Sequence, residues 1–412
     1  MKLFRTLLQR AFLAMMAIPF KLLLSLNYMA FCGAGSTAQL CRHIAGQGMR
    51  KVMIVTDKPL VELGIVAKAV TALEEKGVSC VIYDGILPDP TFAMVNEGLA
   101  LQEQHDCDAV LAIGGGSSID CAKAIVGAIY NGRDASKLVG YFKMKKQALP
   151  LFALPTTSGT GSEATIAAVI SDAESHEKFF LADPKMLPRA VALDSDLLLG
   201  MPKAITAATG MDALTHAIEG YIGLWGNEES NARDYAAVKM IFDALPEVYT
   251  NGGNADAREQ MALAAYYAGM SINDAGVGNV HAIAHQLGRH YSTPHGLANA
   301  IVMPPVLRFM AKAAEQRLAE LGYLIEVADK NDSEQLAAEK FIEAVAQLNR
   351  RLEIPETLDS LREADFKAIA KDAVKEGAGY PVPLLMSRKE CEAILASLAT
   401  ATESTNGARA AA

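Results

Sequence analysis

The hydrophobic pattern of this 412-residue chain changes near Pro202, and that change limits the folds open to it more than any other feature. Before Pro202, five short apolar runs end in Gly, Asp, Pro or Thr and alternate with helical patterns. The runs are KVMIVTD (51–57), VSCVIYDGI (78–86), DAVLAIGGGSS (108–118), LPLFALPTT (149–157) and RAVALD (189–194). After Pro202, apolar residues recur at helical spacing. The sequence therefore predicts a mostly parallel α/β domain followed by an all-helical domain.

The boundaries of these parts follow the change of pattern. We expect an apolar, basic N-terminal extension at 1–31, the α/β domain at 32–201, the helical domain at 202–400 and a flexible tail at 401–412. With 51% hydrophobic and 21% charged residues, the chain has an ordinary globular composition. It is long enough to bury two cores.

Charge and cysteine usage exclude some classes of partner. The net charge is −9, and no Lys/Arg-rich block is interleaved with aromatic residues, so we expect no nucleic-acid partner. The six cysteines form no C-x-x-C pair, which indicates reduced thiols in a cytoplasmic protein. Small molecules are the expected partners.

The N-terminal extension does not have the pattern of a spanning helix. Its four charges are all positive: Lys2, Arg5, Arg10 and Lys21. Lys21 would lie in hydrocarbon at a cost of about 2.5–3.5 kcal/mol, and the apolar run before it is too short to cross a bilayer. No small-residue cleavage site follows it, so a signal peptide fits poorly. Two interpretations stay open: an interfacial helix on the cytoplasmic face of a membrane, or a helix packed on the protein or on a partner subunit.

Two glycine-rich turns follow consecutive strands of the predicted sheet. AIGGGSSID leaves a strand and enters a helix, and PTTSGTGSEAT follows the next strand. Glycines let the backbone approach a pyrophosphate, and a helix N-terminus offers unpaired N–H groups. Either turn alone is equally typical of tight chain reversal. Together they indicate a dinucleotide crevice at the strand ends.

Asp57 closes the first of the five predicted strands, in MIVTDK. A carboxylate there would bind an adenosine ribose and repel a 2′-phosphate, which favours NAD over NADP. The alternative, an Asp that caps the following helix, is equally compatible with the spacing.

The stretch HAIAHQLGRHYSTPH contains four of the eight histidines of the chain. A separate pair, Asp212 and His216 in MDALTHAIEGY, is four residues apart and shares one helical face. One Asp and several His with no cysteine are typical of a site for Fe(II), Zn(II) or Mn(II). Spacing alone does not decide which histidines bind.

The motifs GGGSSID, LPTTSGTGSEAT, MDALTHAIEGY and HAIAHQLGRHYSTPHGLANAIVMP stand in the order and spacing of the iron-containing, group III alcohol dehydrogenases. The chain resembles that family from about residue 33 to 390. The resemblance implies a dehydroquinate synthase-like architecture, with NAD(P) on the α/β domain and a divalent metal in the helical domain. It implies the metal ligands Asp212, His216, His281 and His295. It also implies that His285 is a proton relay, whereas His290 matches no family ligand.

The same resemblance implies a set of cofactor contacts in the α/β domain. They fall on Asp57, Asp89, Gly115, Gly116, Ser117, Ser118, Ile119, Asp120, Thr156, Thr157, Thr165, Ile166, Ala167, Lys178 and Leu197. Asp89 replaces an Asn common in relatives. Ala167 replaces a larger polar residue found in some diol-specific relatives, which leaves more room beside the nicotinamide.

These observations predict a metal-dependent, NAD-linked alcohol dehydrogenase that interconverts primary alcohols and aldehydes by hydride transfer, with Fe²⁺ or Zn²⁺ as the metal. A substrate of medium or long chain is expected from the position of Ala167 and the apolar extension. A homo-oligomer, as a homodimer, is expected. A glycerol-dehydrogenase-like or other polyol or hydroxy-acid dehydrogenase is one alternative, and a dehydroquinate-synthase-like lyase is another. An inactive membrane-associated scaffold is the alternative from a different class.

Overall fold

The computed structural model describes residues 26–174 and 177–400. Its strands are β1 (Ala30–Cys32), β2 (Lys51–Val55), β3 (Ser79–Tyr83), β4 (Ala109–Gly114), β5 (Gly140–Tyr141), β6 (Leu151–Pro155), β7 (Ala167–Ser171), β8 (Lys178–Ala182) and β9 (Ala190–Leu193). Six of them form one parallel sheet in the order β1-β9-β6-β4-β2-β3. Every residue of β4 and β6 is buried, as expected for a parallel sheet with both faces covered.

The helices of the first half are α1 (Ser36–Gly46), α2 (Lys58–Glu62), α3 (Ile65–Glu74), α4 (Phe92–His105) and α5 (Gly116–Ile129). Side chains alternate across each strand, so β2 contributes Val52 and Ile54 to one apolar layer and Met53 and Val55 to the other. Helices α1 and α3 pack in the first layer, and α4 and α5 pack in the second. This accounts for the apolar strands and the amphipathic helices between them.

A small second sheet contains the two strands that follow the second glycine-rich turn, together with β5, which precedes it. It has the order β5-β8-β7, with β5 parallel and β7 antiparallel to β8. Ala167 begins β7 and Lys178 begins β8. Because the two strands are antiparallel, Ala167 pairs with Ala182 and Lys178 pairs with Ser171, so these two residues with predicted cofactor contacts lie at opposite ends of the strand pair.

In the second half, the described residues form helices joined by loops. They are α6 (Lys203–Ile222), α7 (Glu228–Thr250), α8 (Ala255–Ala275), α9 (Asn279–Tyr291), α10 (His295–Leu324), α11 (Glu334–Arg351), α12 (Phe366–Gly377) and α13 (Arg388–Leu398). They surround the largest apolar cluster of the structure. One side of α8 packs outside that cluster. Its residues Ala262, Tyr266 and Met270 belong to the apolar layer that contains α4 and α5. The predicted order of an α/β half and a helical half is confirmed.

The N-terminal extension is described only at its end. Ala30 and Phe31 belong to β1, which pairs with β9 at the edge of the sheet. Residues 1–25, and with them the prediction of an interfacial or packed helix, lie outside the described residues, as does the 401–412 tail. Within 26–174 and 177–400, no helix has both the length and the apolar character that crossing a bilayer requires.

Candidate active site

The turn after β4 lies at the point where the strand order reverses. The chain passes from β2 outward to β3 and then returns to β4 on the other side of β2, which is where ligands of open α/β sheets bind. Gly114 has a φ of +152°, and a Cβ on it would lie 2.4 Å from Ser118 Oγ, so the turn requires glycine here. A Cβ on Gly116 would lie 2.8 Å from the Thr160 side chain. Helix α5 begins at Gly116, after Gly115 as the N-cap residue, with no side-chain cap. Its N-terminal N–H groups are therefore available to an anion.

Asp57 follows β2, the strand beside this turn. Its Oδ1 accepts a hydrogen bond from Leu60 N at 3.0 Å and caps α2. The capping role that the spacing left open is thus present. In the part of the chain that the structure describes, Oδ2 has no hydrogen-bond partner, so capping and recognition of a ribose by Asp57 are compatible.

Asp89 and Lys178 are joined by an ion pair. Asp89 Oδ1 accepts from Lys178 Nζ at 2.8 Å. Asp89 has a φ of +55°, a region in which Asn and Asp are both enriched, so the exchange of Asn for Asp preserves the backbone. A Cβ on Gly288 would lie 4.0 Å from Lys178 Nζ. Since Gly288 belongs to α9, Lys178 reaches the helix that carries His281 and His285.

The second glycine-rich turn contacts the first. Thr156 N donates to Gly114 O at 3.0 Å. The Thr157 side chain lies 3.4 Å from the position of a Cβ on Gly115. The two turns that the sequence placed on consecutive strands therefore form one continuous surface at the strand ends.

A buried polar network holds this second turn on α5. Asp120 Oδ1 accepts from Ser162 Oγ at 2.5 Å, and its Oδ2 accepts from Val169 N at 2.9 Å. The fully buried Lys123 donates from Nζ to Ser162 O at 2.6 Å and to Thr165 Oγ1 at 2.8 Å. Burial lowers the pKa of Lys123 to about 8 although Asp120 opposes the change. The network occupies the polar atoms of Asp120 and Thr165. These two side chains therefore affect the site by holding the loop in position.

Other residues with predicted cofactor contacts are packed side chains. Ile119 and Ser118 are buried near the start of α5, and Ser117 beside them is partly buried. Ile166 is buried, with its N–H donated to Asn273 Oδ1 at 3.0 Å. Leu197 is buried in the layer that contains α1 and α3. Their contact with a cofactor stays a prediction.

In the helical half, three helices bring one carboxylate and three imidazoles together. Asp212 and His216 share a face of α6, His281 lies in the first turn of α9, and His295 is the first residue of α10. One potential ligand atom from each lies within 4.8 Å of all the others. Asp212 Oδ1 lies 3.3 Å from His295 Nε2 and 3.9 Å from His281 Nε2. The rings of His216 and His281 are stacked with centroids 4.7 Å apart.

The protonation states of this cluster suit a cation. Burial lowers the pKa of His281 well below its usual value and that of His295 to about 3. Burial alone would raise the pKa of Asp212, but the imidazoles and Asn299 outweigh it and leave that pKa below its ordinary value. At neutral pH the site therefore has one carboxylate facing the neutral rings of His281 and His295, which are the forms that bind metals.

Glu219 orients one of these rings. Its Oε2 lies 2.6 Å from His281 Nδ1 and accepts from Gly278 N at 2.7 Å, and its Oε1 accepts from Val280 N at 2.6 Å. A carboxylate on Nδ1–H leaves the Nε2 lone pair directed at the cluster, as in metal sites. His216 Nδ1 is buried and has no hydrogen-bond partner among the described residues. An orphaned imidazole nitrogen beside a buried carboxylate and neutral rings fits a divalent ion.

His285 lies one turn after His281, and its ring stacks on that of His295 with centroids 5.2 Å apart. His285 Nδ1 lies 2.5 Å from Glu376 Oε1, which also accepts from Tyr380 OH at 2.6 Å. Burial raises the pKa of Glu376, but the hydrogen bond and charge of His285, together with the hydrogen bonds from Tyr380 and Gln286, outweigh it and leave that pKa below the usual value. By contrast, His290 is exposed at the end of α9.

The sequence interpretation missed four residues of this site: Glu219, Asn299, Glu376 and Lys123. Glu219 is detectable in retrospect, because 212, 216 and 219 share one face of a helix. Asn299 follows His295 by one turn, and its Nδ2 donates to Asp212 Oδ1 at 2.7 Å. Glu376 and Lys123 gave no signal, since their partners are distant along the chain.

Glycine turns at the switch point of a parallel sheet, together with a cluster of one Asp and three His in the helical half, define a two-domain, metal-dependent nicotinamide dehydrogenase. Comparison with known proteins identifies the family. Residues 29–195 match the iron-containing alcohol dehydrogenases, and residues 206–399 match the C-terminal region of the same family. The chain belongs to the iron-containing alcohol dehydrogenase family. It is an NAD-linked oxidoreductase acting on CH–OH groups, so the predicted family and reaction class are confirmed.

Individual relatives cover most of the chain. It is 40% identical to lactaldehyde reductase of Escherichia coli (strain K12) over 358 residues, which are 85% of this chain and 92% of that protein. It is 36% identical to the NAD-dependent methanol dehydrogenase of Bacillus methanolicus over 346 residues, 84% of this chain and 91% of that protein. The crystal structure of a 1,3-propanediol oxidoreductase superposes with a TM-score of 0.88 at 35% identity, covering 91% of this chain and all of that one.

Proposed function

We propose that Asp212, His216, His281 and His295 bind one divalent ion, Fe²⁺ or alternatively Zn²⁺. The observation that carries this proposal is the convergence of their four ligand atoms within 4.8 Å. One carboxylate oxygen and three imidazole nitrogens, with no thiolate, form a ligand set that suits both ions. The family's iron-containing description favours Fe²⁺.

When bound, the metal supplies Lewis-acid polarisation of the substrate oxygen, and NAD supplies the hydride acceptor. The side chains of this protein orient the reactants and move the proton. Glu376 accepts the Nδ1–H of His285, which leaves His285 Nε2 as the basic nitrogen. That nitrogen takes the alcohol proton during oxidation and returns it during aldehyde reduction. Glu376 and Tyr380 keep the ring in place.

The cofactor is NAD rather than NADP. The support for this choice is the position of Asp57 beside the first glycine-rich turn, with Oδ2 unpartnered within the described residues. A carboxylate at that strand end binds a ribose diol and repels a 2′-phosphate. We propose that the remaining predicted contacts, from Asp89 to Leu197, belong to the binding site of the same cofactor.

The substrates are primary alcohols of medium or long chain and their aldehydes. Ala167 has a small side chain at the start of β7. On the same small sheet, exposed rings of Tyr141 and Phe180 lie with centroids 5.2 Å apart and offer apolar surface to a chain. Relatives are named for lactaldehyde and methanol, so chain-length preference is the feature that separates this proposal from their activities.

The remaining proposals concern the whole chain. Residues 32–201 form the NAD-binding domain and residues 202–400 form the metal and substrate domain. The protein is a cytoplasmic homo-oligomer, and residues 1–31 bring it to the cytoplasmic face of a membrane, where long-chain alcohols partition. The support is the basic, apolar composition of that extension.

The test is NAD reduction with primary alcohols from ethanol to dodecanol, on protein whose metal content has been measured. Each buried CH₂ contributes about 0.8 kcal/mol, so kcat/KM should rise by up to about fourfold per added carbon over several carbons. A flat or falling profile contradicts the chain-length proposal. Full activity in verified metal-free protein contradicts the ligand proposal.

A further inference from the structure

The second glycine-rich turn lies between the two domains as well as beside the crevice. A Cβ on Gly159 would lie 2.5 Å from Thr209 Cβ in α6. A Cβ on Gly161 would lie 2.6 Å from the Cα of Gly269 in α8. Backbone therefore packs directly on backbone, and these glycines are required by the contact between the domains. The position of this turn therefore depends on contacts with both domains.

In the α/β domain, Asp120 and Lys123 hold this turn in place, as described above. In the helical domain, the side-chain amide of Asn273 holds it in place. Asn273, in the last turn of α8, accepts from Ile166 N at 3.0 Å and donates to Ala164 O at 2.8 Å. Its second donor hydrogen reaches Tyr28 OH, also at 2.8 Å. The Asn273 side chain is buried, and its oxygen and both of its N–H groups are engaged.

The residues that Asn273 holds are adjacent to the predicted nicotinamide contacts. Ile166 immediately precedes Ala167, and Thr165 lies on the other side of it. Asn273 itself belongs to the domain that carries the four potential metal ligands, and α8 packs on α6, which carries Asp212 and His216. One side chain thus links the wall of the nicotinamide site to the scaffold of the metal site.

We propose that Asn273 is a positioning residue that sets the distance between the nicotinamide and the substrate carbon. This inference rests on the proposed function of the two sites. Hydride transfer requires the reacting atoms to be about 3–3.5 Å apart, and a displacement of about 1 Å can cost about a hundredfold in rate. Loss of the Asn273 bonds would release the 164–166 backbone from α8. It would leave the first glycine turn and the Asp212 cluster in place.

The test compares Asn273→Ala with Asn349→Ala. Asn349 is a matched control because it is also buried and donates to a backbone carbonyl, Ala300 O at 2.6 Å, but entirely within the helical domain. For both variants, kcat and the primary deuterium isotope effect on kcat are measured with a dideuterated alcohol. Bound metal and NADH affinity are measured alongside. Hydrogen exchange of the 164–166 amides in the protein without cofactor gives a readout that is independent of turnover.

We expect Asn273→Ala to lower kcat by about tenfold or more and to raise the isotope effect, because hydride transfer becomes rate-limiting. Metal content and NADH affinity should stay within about twofold of wild type, and the Ile166 amide should exchange faster. Asn349→Ala should leave the isotope effect and the Ile166 exchange unchanged. Equal kcat and isotope effect in the two variants, or a parallel loss of NADH affinity or metal, overturns the proposal.

If Asn273→Ala does not fold, Asn273→Asp and Tyr28→Phe decide the matter. The aspartate keeps an acceptor for Ile166 N–H and loses both donors, whereas Tyr28→Phe removes a single bond. Wild-type kcat and isotope effect in both variants overturn the proposal, and a raised isotope effect in Asn273→Asp supports it. If wild type oxidises no alcohol, the proposed function fails. Faster Ile166 exchange in Asn273→Ala, or faster exchange of the 164–166 amides in Asn273→Asp, would then still show that the Asn273 side chain holds the loop.

Discussion

The role of Glu219 gives the sharpest prediction about the metal site. Its two oxygens accept three hydrogen bonds, from Gly278 N, Val280 N and His281 Nδ1. In Glu219→Gln one oxygen becomes an NH₂ group, so at least one of these buried donors loses its acceptor. An unsatisfied buried donor costs about 1–3 kcal/mol, and we expect the free energy of unfolding of the metal-free protein to fall by about 2 kcal/mol.

The effect on metal binding follows from the tautomer of His281. An amide oxygen is a weaker acceptor for Nδ1–H than a carboxylate, so the tautomer that leaves the Nε2 lone pair directed at the cluster becomes less stable. Loss of such a partner typically costs 10–100-fold in metal affinity, or about 1.4–2.7 kcal/mol.

The assay is competition for Zn²⁺ or Co²⁺ against a chelator of known affinity, with urea unfolding of the metal-free protein. Glu320→Gln is the matched control, because Glu320 Oε2 accepts from Tyr221 OH at 2.7 Å and does not contact the cluster. Wild-type metal affinity in Glu219→Gln would refute the reasoning. An equal loss in Glu320→Gln would do the same.

Four further predictions concern other parts of the molecule. Removal of the metal should abolish turnover while NADH still binds, as measured by nicotinamide fluorescence; lost NADH binding would contradict the separation of the two sites. His295→Ala should strongly lower metal occupancy by elemental analysis, whereas the exposed His290→Ala should leave it near wild type, and equal loss would mean that the wrong histidine was chosen. Asp57→Gly should relax the preference for NAD in kcat/KM ratios for NAD and NADP, and unchanged selectivity would leave Asp57 with its capping role alone. A chain starting at Leu26, which retains β1, should keep its activity but lose co-sedimentation with vesicles; equal co-sedimentation would remove the membrane proposal.

The sequence predicts this site where chemistry and periodicity coincide. Asp212 and His216 are four residues apart on a helix, and the histidine-rich stretch has too many imidazoles for packing alone. The two domains could be predicted because strand and helix periods differ. The order of strands in the sheet could not, since it depends on pairings between distant segments.

Where the sequence interpretation was incomplete, tertiary contact was the reason. Gly159 and Gly161 lie in a turn whose composition is typical of phosphate binding. Their immediate neighbours are nevertheless Thr209 and Gly269 of the other domain. The edge strand β1 consists of three residues at the end of an apolar run, too short to show a period. Glu376 lies 91 positions from His285, so only the fold brings the two together.

The starting points of α9 and α10 have an electrostatic consequence for the metal site. His281 lies in the first turn of one helix and His295 begins the other, so the positive ends of both helix dipoles lie next to the cluster. Each such dipole disfavours a neighbouring cation by about 0.3–1 kcal/mol and favours an anion by a similar amount. Two carboxylates oppose this potential: Asp212 lies in the cluster, and Glu219 accepts from Gly278 N and Val280 N at the start of α9. The two helix starts taken by themselves oppose the binding of a cation, and they favour the negative charge that develops on a substrate oxygen as its proton departs.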